Sequence, residues 1–270
     1  MSVDPRARLG LRTLVLGYLA VLLLVPVGLV FYRTFEHGLT PVWQAITTPA
    51  AVHAFWLTLE IALIAVPLNT VLGVITALAL VRGRFRGKAL LDALIDLPFA
   101  ISPVVIGLAM VLVYGRTGWF GGWLANQGIQ VIFAVPGMVL ATIFVCLPFV
   151  VREVEPVLRE VGDEQEQAAA TLGAGGWTTF RRITFPAIRW GLAYGIVLSV
   201  ARAIGEFGAV SVVSGRVAGE TMTLTLLVQQ RFENFDLAGA YAASTLLAVI
   251  ALLTLLLMTR INPRREEHDS

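Results

Sequence analysis

Arg202 and Glu206 lie four residues apart within the apolar run 188–213. A charge in an apolar run of membrane length costs about 2.5–3.5 kcal/mol on insertion scales, so it normally faces a cavity or a partner. At this spacing the two side chains share a helix face and can form an ion pair. Either they neutralise each other and hold helices together, or Arg202 lines a polar route. Asp92 and Asp96 repeat the spacing and suggest paired carboxylates for acid–base work. Lys88 stands beside them and no nucleophile or metal ligand accompanies them, so a charge pair at the end of a span is the better reading. Gly83-Arg84-Phe85-Arg86-Gly87-Lys88 has the look of a phosphate loop, but it is one residue short, and Ala89 stands where Ser or Thr is needed. It does not bind ATP by that route. The single cysteine, Cys146, excludes an internal disulfide and, in its apolar stretch, reads as an inert buried thiol. His37, His53 and His268 have no metal-ligand spacing. No catalytic residue and no metal site emerge, and a net charge of +2 gives no nucleic-acid reading.

The elements that position these residues are membrane helices. The chain is 57% apolar and 14% charged, with a mean hydropathy of +0.80, whereas a soluble domain carries about 25% charged residues. Six runs reach the ~20 residues that a helix needs to cross hydrocarbon; they fall at 13–32, 55–81, 92–114, 130–151, 188–213 and 238–259. The runs are continuously apolar rather than alternating, which excludes a β-barrel and leaves an all-α membrane protein of about six transmembrane helices. Arg6, Arg8 and Arg12 ahead of Leu14–Phe31 imitate a signal peptide. That run is longer than a signal core and no small-x-small site closes it, so an uncleaved first span is expected. With both termini in the cytoplasm, fifteen basic residues fall in inside segments and four outside, at Arg33, Arg116, Arg216 and Arg231. The expected organisation is a cytoplasmic tail 1–12, a six-span domain 13–259 and a cytoplasmic tail 260–270. Pro67, Pro98, Pro103 and Pro148 interrupt spans. They are either ordinary kinks or, at Pro98–Pro103 with Ser102, the wall of a pathway.

The longest polar stretch is an inside loop at about 152–187. Asp163 followed three residues later by Glu166 has the form of a capping box, and an acidic first turn suits a helix N-terminus. Gly173 supplies the left-handed position that ends helices. The local chemistry therefore predicts a short helix over 164–172. Ala168, Ala169 and Ala170 leave it with a small face that another protein can approach closely.

This segment resembles the cytoplasmic loop of ABC importer permeases, which reads Glu-Ala-Ala, three residues, Gly, nine residues, Ile-x-Leu-Pro. Here Gln167-Ala168-Ala169, Gly173 and Ile183-Thr184-Phe185-Pro186 keep the full spacing, with Gln167 for the Glu and Phe185 for the Leu. The resemblance implies a type I importer permease fold in which Gln167, Ala168, Ala169, Leu172, Gly173, Ile183 and Pro186, within a coupling segment 163–186, meet a separate ATPase. Asp96–Val105, the run Ala201–Val210 and Ser214–Thr221 are similar to the sulfate/thiosulfate permeases, most closely the W-type of their two paired subunits. The likeness covers about 55–225. Molybdate and tungstate permeases share the Gly205-Glu206-Phe207-Gly208-Ala209 core, so that core alone does not choose the anion. The implied partners are a second homologous permease, two ATP-binding subunits that carry ATP and Mg, an extracytoplasmic sulfate-binding protein and the lipid bilayer of a bacterial inner membrane. Nothing in this chain needs a cofactor. On this resemblance Arg202, Glu206 and Ser102 become possible anion-pathway residues, with Arg202 offering charge to a tetrahedral oxyanion. Ser211, Ser214 and Gly215 are weaker candidates for donors at the outer mouth. Ala201, Gly205 and Ala209 form a small-residue stripe suited to close helix packing against the second permease. A secondary transporter or channel remains the alternative from another class. It would be favoured by inverted repeats or several midplane charges, and no clear repeat is present.

Overall fold

The computed structural model describes residues 5–261. His268, Arg264, Arg265 and most of the expected C-terminal tail lie outside the described residues. Helical conformation begins at Pro5, within the segment 1–12. It runs through α1 (Pro5–Leu19), a π segment (Ala20–Leu24) and α2 (Val25–Phe35). The π segment ends just before Pro26, whose missing N–H deprives the Leu22 carbonyl of its usual donor.

A short α3 (Leu39–Ile46) leads into the long α4 (Pro49–Arg82). Thr48 caps α4 by accepting the Ala51 N–H at 3.3 Å, and Pro49 occupies a first-turn position that needs no donor. Next come α5 (Lys88–Ala100), α6 (Pro103–Tyr114), a short α7 (Gly121–Asn126) and α8 (Val135–Val161). The small helices α9 (Glu164–Thr171) and α10 (Gly176–Thr179) follow, then a second π segment (Phe180–Thr184) that runs into α11 (Phe185–Ile204). It too stops just before a proline, Pro186. The described chain closes with α12 (Gly208–Val213), α13 (Leu224–Glu233) and α14 (Leu237–Ile261).

Among the described residues, five helical runs are long and apolar enough to cross a membrane: Gly10–Phe35, Pro49–Arg82, Val135–Val161, Gly176–Ile204 and Leu237–Thr254. The expected third span, 92–114, is not one helix. It is the pair α5 and α6, bent by 114°. Pro103 disfavours the helical region for the residue before it, and Ser102 sits at φ −58°, ψ 134°. The fifth run also departs from expectation, ending at Ile204 with α12 standing apart. The fourth starts at Val135 and carries Arg152, Glu155 and Arg159 on a continuous helix rather than in a loop.

The centre of the bundle is α8, packed along α4 and α11. Val150 of α8 is fully buried between two glycines. A Cβ on Gly73 of α4 would stand 2.6 Å from the Val150 Cβ, and one on Gly195 of α11 would stand 3.0 Å from its Cα. Only glycine permits so close an approach of three membrane helices. The first span is the least buried of them, with Leu22, Leu23, Leu24 and Leu29 all exposed. It is pinned near one end, where the Thr34 hydroxyl lies 2.7 Å from that of Thr245 on α14 and donates to the Tyr241 carbonyl at 3.1 Å. At the start of α4, Arg231 donates to the Ala45 carbonyl at 2.9 Å, to Thr48 Oγ1 at 3.0 Å and to the Gly239 carbonyl at 3.1 Å. That one side chain ties the α3–α4 and α13–α14 junctions together.

Candidate functional site

Two regions gather the candidate residues. The first is the short helix α9, which stops as expected by a Schellman motif. Gly173 has φ +81°, its N–H reaches the Ala170 carbonyl at 3.0 Å, and the Ala174 N–H reaches that of Ala169 at 3.0 Å. Gln167, Ala168, Leu172 and Gly173 are exposed, Leu172 at 88%, while Ala169 and Ile183 are half-buried. Pro186 is exposed in the first turn of α11. Trp177 stacks on Phe180 with ring centroids 5.7 Å apart, and Phe180 in turn meets Phe185.

The expected capping box does not form, because the Asp163 side chain makes no cap bond. Glu166 is turned away from the helix start towards the bundle. Its Oε2 accepts from Arg82 Nε at 2.9 Å and its Oε1 from the Thr184 hydroxyl at 2.8 Å. Arg82, the last residue of α4, also donates to the carbonyls of Leu158 and Gly162. A charged hydrogen bond to a guanidinium is stronger than a bond to a helix N–H, and it wins the carboxylate. The sequence marks Arg82 only as a basic residue at the end of an apolar run, and nothing there indicates its partner.

The second region lies where the broken spans meet. Arg202, in the last turn of α11, places Nη1 2.5 Å from Glu206 Oε2. The expected pair therefore forms, but not on one helix face, because Glu206 lies beyond the helix end. Its Oε1 accepts the Ala209 N–H at 2.9 Å and so caps α12, while its own carbonyl accepts from the Thr225 hydroxyl at 2.9 Å. The Glu206 side chain is 1% exposed and that of Arg202 30%. A cavity of about 320 Å³ holds Arg202 and Ser102 together, lined also by Phe99, Pro103, Val145 and Phe149. A cation and a hydroxyl that line one small cavity are chemistry suited to a small anion.

The Ala201–Gly205–Ala209 stripe is not continuous, since the helix ends between its first two members. The close approach that glycine provides occurs instead between α6 and α12. There a Cβ on Gly107 would meet the Ala209 carbonyl at 2.8 Å, and one on Gly208 would meet Pro103 Cβ at 2.8 Å. The Ser211 hydroxyl donates to the Gly208 carbonyl at 2.8 Å, and Ser214 is buried and accepts the Arg216 N–H. Asp92 and Asp96 share one partner, Arg152, at 2.8 and 2.7 Å, and Arg152 also holds Glu155 at 2.7 Å. This network fastens α5 to α8 and leaves no free carboxylate pair. Cys146 is buried, with Sγ 3.8 Å from the Ser199 carbonyl. Among the described residues no group of three His, Cys, Asp or Glu side chains converges to hold a metal.

A bundle of membrane-length helices with broken spans and a capped helix projecting from one end defines a multi-pass transport permease. The model of the family "Binding-protein-dependent transport system inner membrane component" matches residues 69–267, and the chain belongs to that family. It is 52% identical over 260 residues, 96% of this chain and 94% of the relative, to the sulfate transport system permease protein CysW of Synechocystis sp. (strain ATCC 27184 / PCC 6803 / Kazusa). Against the sulfate transport system permease protein CysT of Escherichia coli (strain K12) the identity is 39% over 260 residues, 96% of this chain and 92% of that one. A chain of a bacterial alginate ABC transporter, crystallised with an alginate-bound periplasmic protein, superposes with a TM-score of 0.77 at 18% identity, covering 96% of this chain and 95% of that one. The fold is that of an ABC importer permease.

Proposed function

We propose that the chain is the W-type permease subunit of an ATP-driven sulfate importer. The observation that carries this is the 52% identity to a CysW sulfate permease across nearly the whole chain, which exceeds the 39% to a CysT permease. A CysT-like second permease completes the pathway, two ATP-binding subunits supply ATP and Mg chemistry, and an extracytoplasmic sulfate-binding protein delivers the anion. Both termini face the cytoplasm, an orientation supported by fifteen basic residues on that side against four on the other. α9 with Gln167, Ala168, Ala169, Leu172, Gly173, Ile183 and Pro186 forms the contact with the ATPase. ATP binding closes the motor pair, pushes on α9 and rocks the spans outward-open, and hydrolysis resets them.

In the pathway Arg202 attracts the anion from its cavity beside Ser102. Glu206, charged and almost fully buried behind it, tempers that attraction so that sulfate is released rather than retained. No covalent step takes place in this chain.

The test is uptake of labelled sulfate, thiosulfate and molybdate by cells with and without the chain. Sulfate uptake that disappears with the chain and returns with its gene is expected. Molybdate uptake as the only lost activity would overturn the sulfate assignment.

A further inference from the structure

The short helix α9 projects from the bundle with no fully buried residue of its own. Apart from its chain connections it touches only α10 and the π segment among the larger helix contacts. Its direct link to α4 is polar. Glu166 reaches across to Arg82 at the end of α4, and the Arg82 guanidinium reaches two further points. One nitrogen grips the Leu158 carbonyl at 3.2 Å near the end of α8, another the Gly162 carbonyl in the turn before α9, and Glu166 is held on from below by Thr184 at 2.8 Å, just ahead of α11. Four chain segments thus meet at a single guanidinium–carboxylate pair, with both side chains about one-fifth exposed. Thr184 is buried at that point. The fork geometry of arginine is what allows one side chain to hold a carboxylate and two carbonyls at once.

We infer that Arg82–Glu166–Thr184 is the joint that passes the displacement of α9 to α4, α8 and α11. It rests on the permease reading above. The surface that α9 offers to a motor lies on Gln167, Ala168 and Leu172, and none of these bonds to the joint. Docking and transmission are therefore carried by different residues. Loosening the joint leaves the motor able to bind and hydrolyse ATP while α9 pivots without carrying the spans with it. Arg82 and Glu166 are positioning residues, since neither touches the transported anion.

The experiment uses the whole importer, reconstituted in liposomes, with sulfate uptake and ATP hydrolysis measured in parallel. Wild-type complex that imports no sulfate would count against the permease reading itself, before any variant is considered. Given wild-type import, Glu166→Gln and Arg82→Ala are expected to assemble with the ATPase and hydrolyse ATP, while sulfate moved per ATP falls by about tenfold, within the range that substitutions on coupling networks produce. Arg82→Lys keeps a charge for Glu166 but cannot hold both carbonyls, and it restores part of the ratio. A merely structural role would lower uptake and hydrolysis together and leave their ratio unchanged. That result in Glu166→Gln, whose shape is unaltered, overturns the inference even if Arg82→Ala fails to assemble.

Discussion

The Glu206 carboxylate accepts the Ala209 N–H and meets Arg202 while its side chain stays 1% exposed. Removing its cation strands a charge in an apolar surround, which is why breaking a buried pair from one side costs more than the pair contributes. Arg202→Met is expected to cost near the lower end of the ~3–5 kcal/mol typical of such a loss, because Arg202 itself retains 30% exposure. Adding Glu206→Gln removes the stranded charge and keeps an acceptor for Ala209, so the double variant melts above the single one. Thermal unfolding of the purified complex reads that order. Sulfate uptake is expected to vanish in both, since both lack the pathway cation. Uptake that returns with stability in the double variant would show that Arg202 serves only as the partner of Glu206. The pair itself is legible from the i, i+4 spacing, whereas the second duty of Glu206, capping α12, is not. A carboxylate that caps a helix start looks in sequence like any other acidic residue in a span until the break beside it is seen.

At the level of elements, continuous apolar composition conceals interruptions. The runs 92–114 and 188–213 are hydrophobic throughout, yet each is two helices. Ser102-Pro103 carries the signal for the first break in the dihedral restriction before proline. The second follows from Gly205 and the redirected Glu206, which substitute side-chain and turn bonding for helix bonds. The short helix α9 is the opposite case, because its glycine stop is local chemistry and survives intact. Gly173 sits at φ +81°, and a Cβ there would meet nothing within 4 Å. Space is therefore free and only the backbone angle restricts the residue. Gly173→Asn tolerates the left-handed region and is expected to couple almost normally. Gly173→Val pays about 1–3 kcal/mol of strain there, enough to unwind the stop, displace Leu172 and lower sulfate moved per ATP severalfold. Parallel assays of uptake and hydrolysis on the two variants check this. Equal coupling in Val and Asn would mean that the left-handed stop does not matter to the motor contact.

For the whole molecule, the decisive feature is incompleteness. Arg202 and Ser102 line a cavity of about 320 Å³ in one wall of broken helices, and Arg202 remains partly exposed to whatever faces it. A dianion in transit needs opposing donors, because an exposed cation alone binds weakly in water and a buried one releases slowly. In the proposed importer the opposite wall comes from the CysT-like second permease. The exposed face of α9 likewise meets no counterpart among the described residues. A self-sufficient channel or secondary transporter would carry its own gate and driving site, whereas here the proposed pathway charge, Arg202, and the proposed motor contact, α9, lie in separate regions joined through α4, α8 and α11. Deleting the ATPase, or the second permease, is therefore expected to reduce sulfate uptake to the level of cells lacking this chain, at every external sulfate concentration. Labelled-sulfate uptake in each deletion strain measures this directly. Saturable uptake that persists without the ATPase, and disappears only when this chain is also removed, would overturn the importer reading in favour of a transporter that works without ATP.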